Sequence, residues 1–223
     1  MYDAKSSNTP LYTISVHSFP VIALEYNERY DVVVSADEKG MLEYWSPETR
    51  EFPKNVDFEM KSDTDLFEFA KNRTTPNHIT FSPDDEMFAS MSQDRLVRVF
   101  RFRTGKLHRK YDETIQTTAE MQQGGTASVI LDDVEFNRRL AVEKDLEKSE
   151  HKSLANVCFD DSSNFILYAT LLGVKVVNIK TNKVARILGK SENNQRFLNI
   201  ALYQGIPKSK ALVTLVSFLL HSS

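Results

Sequence analysis

Three pairs of adjacent carboxylates, Asp84-Asp85, Asp132-Asp133 and Asp160-Asp161, are the side chains in this sequence best suited to general acid–base work. That work needs converging carboxyl groups whose pKa values are held apart. Two of the pairs recur at the same place in a repeated strand–turn–strand pattern, so turn and capping duty accounts for them better than catalysis. The five histidines, His17, His78, His108, His151 and His221, share no close metal-ligand spacing such as the i, i+4 pair of a zinc helix. The single cysteine, Cys158, alternates with Val157 and Phe159 along a strand, as a small buried thiol does. The segment QQGGTAS, residues 122–128, lacks the lysine and the preceding strand of a phosphate loop. The expectation is a chain with no catalytic residue, no metal, no cofactor and no small-molecule substrate.

Charge offers a second kind of chemistry. Arg101, Arg103, Lys106, His108, Arg109 and Lys110 concentrate positive charge along one stretch that could meet RNA phosphate or an acidic partner. An edge strand protected from unwanted pairing by its charges is the simpler reading. The net charge of −3 supplies no global attraction to nucleic acid or anionic membrane, so direct nucleic-acid binding is not expected. Arg138, Arg139, Glu143 and Lys144 lie in a mixed-charge helical segment, for which packing on a scaffold rim and docking to a partner protein are equally open.

These groups must be held by a framework, and the sequence repeats one. MLEYWSPETRE from Met41, LVRVFRFRTGK from Leu96 and GVKVVNIKTNK from Gly173 agree column by column. Leu42, Val97 and Val174 share an apolar column, Glu43, Arg98 and Lys175 a charged one, and Trp45, Phe100 and Val177 a bulky one. Such period-two alternation marks a half-buried strand. Arg50, Gly105 and Asn182 fall at the following turn, where left-handed backbone is often needed. Upstream, Tyr26, Phe81 and Phe159 precede equivalent polar turns, 19, 19 and 18 residues before the bulky column. With the shortest connector the unit is about 45 residues, the length of a four-stranded propeller blade. The predicted fold is all-β: an incomplete propeller with blades over 11–58, 74–112 and 155–188, a partial fourth at 197–205, and a divergent tail over 206–223.

Two connectors are long enough to carry helices. SDTDLFEFAK suits a short helix within an insertion at 62–72. The insertion at 113–152 predicts a helix in DETIQTTAEMQQ, a break at Gly124-Gly125, and a helix of about four or five turns in DDVEFNRRLAVEKDLEKSE. In the latter, Phe136 with Leu140 and Val142 with Leu146 form the apolar stripe, while Glu143, Glu147, Lys144 and Lys148 are expected on the exposed face.

The chain of 223 residues, 41% hydrophobic, is long enough for a substantial core. One cysteine excludes an internal disulfide framework and fits a reducing intracellular compartment. The N-terminal residues lack the apolar region of a secretory signal, and the apolar run at 211–220 is too short to span a membrane.

The insertions SDTDLFEFAK and DDVEFNRRLAVEKDLEKSE, together with VRVFRFRTGKL, LYATLLGVKVVNIKTNKVARILGK and ALYQGIPK, resemble the propeller portion of the peptidyl-prolyl isomerase domain and WD-repeat-containing proteins, over about 11–208. The resemblance implies a nuclear, spliceosome-associated protein whose propeller serves as a protein-interaction scaffold. Spliceosomal proteins are the implied partners. It places Trp45-Ser46 at the WD dipeptide, His17 at the family's histidine, and Asp37 or Asp94 in the turn before the third strand. The family's Asp-His-Ser-Trp hydrogen-bonded arrangement could then exist only in the first blade. The chain is expected to begin inside the propeller and end before any cyclophilin segment, because the Phe-His-Arg core of the isomerase is missing and His108-Arg109 follows Leu107 in an outer strand. The alternatives are isomerase activity as a property of the full-length family member, or a truncated product without function.

Overall fold

Val32, Val34 and Ala36 alternate with Val33, Ser35 and Asp37, and in a strand successive side chains point to opposite faces. One of these faces supplies aliphatic core and the other a polar network, which is how each sheet of this chain is used twice. The computed structural model describes residues 5, 9–149, 154–191 and 196–205. The predicted tail over 206–223, His151 and His221 lie outside the described residues.

The first sheet has the order β1-β2-β3, with β1 Val21–Asn27, β2 Val32–Asp37 and β3 Leu42–Trp45. The second is β4-β5-β6-β7, comprising Thr80–Phe81, Met87–Met91, Leu96–Arg101 and Lys106–Asp112. The third is β8-β9-β10-β11, comprising Val157–Phe159, Phe165–Thr170, Gly173–Asn178 and Lys183–Leu188. All neighbours are antiparallel, and Val33↔Trp45, Phe88↔Phe100 and Ile166↔Val177 are equivalent register pairs. The chain thus forms three propeller-like blades in sequence order, with β1, β4 and β8 as their adjoining inner strands.

The turns explain why the repeat keeps its spacing. Arg50, Gly105 and Asn182 all take left-handed backbone after the third strand, with φ of 66°, 60° and 56°. Asp31, Asp85 and Ser163 do so between the first and second strands. Gly40 is restricted further, since a Cβ there would lie 2.3 Å from the Thr74 carbonyl oxygen.

Blades one and two meet through Val34, Leu42, Tyr44, Phe88, Phe100 and Phe102, with Phe88 stacked on Phe100 at 4.9 Å and Tyr44 on Phe102 at 5.1 Å. Blades two and three meet through Ala89, Met91, Val97, Val99, Ile166 and Tyr168. The first to second strand turns are also linked blade to blade: Asn27 Nδ2 donates to the Asp85 carbonyl at 2.9 Å, and the Asp84 N–H donates to Ser163 Oγ at 3.2 Å.

Blade one departs from the predicted pattern. Among the described residues it has no fourth strand. The chain after Trp45 instead runs to blade two, where the Asp57 N–H donates to the Arg103 carbonyl and the Asp65 N–H to the Gly105 carbonyl, while Phe58 fills the aromatic core. Contacts to the next sheet take the place of a self-paired outer strand. The first insertion holds a 3-10 turn, Lys61–Asp63, and a single helical turn, α1, Glu68–Lys71. The second holds α2, Ile115–Gln123, and α3, Asp133–Lys148, the latter capped by Asp132. Phe136 anchors this pair on Leu171 and Leu172 at the β9–β10 turn.

Candidate functional site

The most connected polar group in blade one starts at the indole of Trp45, whose Nε1 donates to Ser35 Oγ at 3.0 Å. His17 Nε2 lies 2.8 Å from the same hydroxyl, and His17 Nδ1 lies 3.2 Å from Asp37 Oδ2. With the proton on Nδ1, the chain of bonds runs from indole to hydroxyl to imidazole to carboxylate. The other Asp37 oxygen accepts from the Lys39 and Met41 N–H groups and so fixes the β2–β3 turn. Serine, histidine and aspartate in this order could activate a nucleophile, but the Ser35 side chain is buried and already accepts from the indole. The network is a strut joining the segment before β1 to β2, the turn and β3.

Blades two and three solve the same problem with ions. Asp94 sits at the β5–β6 turn and accepts from Arg98 at 3.0 and 2.7 Å and from Ser92 Oγ at 2.6 Å. Burial by itself raises the Asp94 carboxyl, but the bonds from Arg98 and Ser92 outweigh it and leave its pKa below the ordinary value. Arg98 is itself buried, over the Phe69 ring at 5.0 Å and 3.6 Å from Glu68 of α1. In blade three Lys175 donates to both Glu113 oxygens at 2.7 Å, and Tyr168 donates to the same carboxylate at 3.1 Å. The charged column Glu43, Arg98 and Lys175 is therefore spent within the chain, each member tying its blade to a connector through Lys61, Glu68 or Glu113.

The four helix residues singled out from the sequence divide by face. Arg138 and Lys144 are exposed, whereas Arg139 and Glu143 are buried. Glu143 was expected on the exposed face; instead it pairs with Arg95 of the β5–β6 turn and with Arg196 at 2.6 Å. Arg139 pairs with Glu135 at 2.6 Å and donates to the Leu171 carbonyl at 3.3 Å and to that of Lys190. A helix whose apolar stripe is too narrow to seat it is docked by ions as well as by Phe136. Burial lowers the pKa of Arg95 and brings that of Arg196 down to about 10.

Most of the remaining candidate groups among the described residues are engaged in architecture. Asp132 caps α3, and Asp160 Oδ1 accepts from the Asn164 and Phe165 N–H groups at 3.1 and 2.8 Å. His78 Nε2 accepts from the Val157 N–H at 2.9 Å, across the interface of blades two and three, and burial lowers its pKa. Burial raises the Cys158 thiol, which lies 3.4 Å from the Ile200 carbonyl. On β7, Arg109 donates to the Ile179 carbonyl at 3.1 Å and Lys110 lies 3.6 Å from Glu68, while in the turn before this strand, Lys106–Asp112, Arg103 pairs with Asp57 at 2.5 Å. His108, in the same strand, has its pKa lowered by burial and by Arg101 and Arg109. Among the described residues no cluster of three or more His, Cys, Asp or Glu could hold a metal ion, and no helix is long and apolar enough to cross a membrane.

No family model matches the chain. Over 218 residues it is 56% identical to the peptidyl-prolyl cis-trans isomerase cyp15 of Rhizopus delemar, a match covering 96% of this chain and 34% of that protein. It is 45% identical over 219 residues to the human peptidylprolyl isomerase domain and WD repeat-containing protein 1, covering 97% of this chain and 33% of the human one. The chain is homologous to, and spans, about one third of the length of these relatives. The Arabidopsis thaliana peptidyl-prolyl cis-trans isomerase CYP71 gives the same proportions, 48% identity over 92% of this chain and 33% of the relative. The matched residues of this chain take in its three blades and both helical insertions.

Sequence reasoning did not single out Arg95, Glu113 or Arg196. Arg95 and Glu113 stand beside blade strands at connector ends, and Arg196 follows the last strand. No spacing relates them to the residues they neutralise, so only the folded arrangement brings them together.

Proposed function

We propose that this chain is a WD-type propeller segment that binds proteins as a rigid scaffold. The single observation carrying the proposal is the match, over more than nine-tenths of this chain, to one third of proteins whose names join an isomerase domain to WD repeats. Its support from chemistry is that, among the described residues, His17, His78, Asp132 and Asp160 are engaged in blade contacts, a cap and a turn. The protein acts in the nucleus, with proteins of the splicing machinery as partners, and its mechanism is recognition by loops and rim insertions on a stiff sheet framework. The exposed side of α3, with Arg138 and Lys144, is one such insertion.

Two assays on the purified chain test this. Binding to purified splicing complexes is expected, with affinity reduced by Arg138→Glu with Lys144→Glu, while isomerisation of a prolyl peptide stays at the uncatalysed rate. Failure to bind any such complex overturns the scaffold reading. Isomerisation above background would favour the second reading, suggested by the relatives' names, in which these residues themselves carry prolyl isomerase activity. A fluorescent fusion that stays outside the nucleus would refute the proposed location.

A further inference from the structure

The outer strands of blades two and three carry like charges at like places. In the column alignment of the repeat, Arg103 corresponds to Lys180, Lys106 to Lys183 and Arg109 to Arg186. The strand register agrees: Arg101 faces Lys106 where Asn178 faces Lys183, Val99 faces Arg109 where Val176 faces Arg186, and both pairings have a bulge at the same step. In blade one, which has no outer strand among the described residues, the three columns hold Glu48, Glu51 and Lys54. Residues 101–111 and 178–190 together contain nine of the 28 Lys and Arg and none of the 31 Asp and Glu. Positive charge is thus gathered on two outer strands of a chain whose net charge is −3.

The fold joins the two stretches into one rim. Lys106 is the register partner of Arg101, Arg101 and Arg109 are both close enough to lower the His108 pKa, and Arg109 reaches the Ile179 carbonyl at 3.1 Å, one residue from Lys180. Lys180 stands in the turn that leads to Lys183 on β11. The carboxylates nearby are already used. Asp57 pairs with Arg103, Glu68 lies 3.6 Å from both Arg98 and Lys110, Asp65 accepts from the Leu107 N–H at 2.8 Å, and Asp112 accepts from Thr114. Arg101, Lys106, Lys180, Lys183 and Arg186 are exposed and make no ion pair among the described residues. Protecting an edge strand needs charge on that strand, but Arg101 ends β6 and Lys180 lies in a turn between the two edges.

We infer that the outer rim of blades two and three is a docking surface for an extended, Asp- and Glu-rich segment of a partner protein. Such a segment supplies the charge that the rim lacks, and complementary charge both steers the encounter and selects the partner. A nucleic acid is also anionic, but single strands are gripped by aromatic rings set among the cations. The two aromatic side chains in these stretches are turned inward, Phe102 buried and Tyr111 packed against the core between blades two and three. Carboxylates therefore suit the rim better than nucleotides. The inference rests on the scaffold reading and gives that scaffold a contact surface apart from the exposed side of α3.

The test uses the full 223-residue chain and a fluorescein-labelled peptide of alternating Glu and Ser, about ten residues long and so able to reach roughly 33 Å when extended. A Gln–Ser peptide and an oligouridine of the same length serve as comparisons. Fluorescence anisotropy is expected to show saturable binding of the Glu peptide at low salt and none of the Gln peptide. Binding should weaken as the screening length shortens to about 8 Å at physiological ionic strength. Arg101→Gln, Lys106→Gln and Lys183→Gln together should reduce affinity by about tenfold, with unchanged far-ultraviolet circular dichroism, whereas Arg138→Glu with Lys144→Glu should leave it as it was. No binding of the Glu peptide, equal binding of the Gln peptide, or affinity indifferent to the three rim changes would overturn the inference. So would tighter binding of the oligouridine, which would assign the rim to nucleic acid. The peptide assay contains no splicing complex, so its failure and the failure of the scaffold reading are scored separately.

Discussion

Ser35 has one hydroxyl and serves both Trp45 and His17, so its loss has a defined result. Ser35→Ala leaves the indole N–H and an imidazole nitrogen without their buried partner. An unsatisfied buried polar group costs about 1–3 kcal/mol, and the expected outcome is a fall of that size in urea unfolding, with altered Trp45 emission. His78 yields a pH prediction. Burial lowers its pKa below the ordinary 6.5, so on acidification the unfolded chain takes up a proton that the folded site refuses. Its contribution to stability is therefore present above pH 6.5 and is lost as pH falls through that value. His78→Gln should flatten this part of the stability profile, measured by thermal melts across pH 5–8.

At the scale of elements, α3 shows which properties could be read in the sequence. Its length, the Asp132 cap and the apolar role of Phe136 follow from local spacing and capping chemistry, and the structure places the helix over Asp133–Lys148. The direction of Glu143 does not follow from that spacing, because it is set by Arg95, 48 residues upstream, and Arg196, 53 residues downstream. The turns were legible for the opposite reason: Gly105 and Asn182 carry their backbone preference with them, whatever they pack against. Arg50 reaches the same conformation without that preference, held by the Arg50 N–H to Ser46 carbonyl bond at 2.9 Å and by Tyr12, whose ring lies 3.8 Å from its guanidinium. The missing outer strand of blade one was not legible, because residues 46–66 are fixed by blade two and not by local alternation. Two changes test how α3 is held. Glu143→Ala leaves Arg95 and Arg196 buried without their shared carboxylate, a loss of about 3–5 kcal/mol for a broken buried pair. Phe136→Ala should cost about 3–5 kcal/mol by the cavity it opens, and limited proteolysis should then cut first in the 113–149 insertion.

For the whole molecule, blade two is covered by a sheet on each side, whereas the first strand of blade one exposes Val21, Ile22, Leu24 and Tyr26. Local opening draws on regions with few buried contacts. Hydrogen exchange should therefore be slowest in β5 and β6 and fastest in β1, and equal protection across the three blades would contradict this ranking.

Blade two turns Phe88 and Phe100 toward its predecessor and Ala89, Met91, Val97 and Val99 toward its successor. Phe100 at the first junction and Val177 at the second share one column of the repeat, so the two junctions are packed with side chains of different size although the units align column by column. Duplicating blade two in place would set Phe88 and Phe100 of one copy against Ala89, Met91, Val97 and Val99 of the other, where Ile166 and Val177 now stand. The units are thus alike enough to recombine in the gene but too different at their faces to be shuffled without repacking, which guards the blade number against unequal crossing-over.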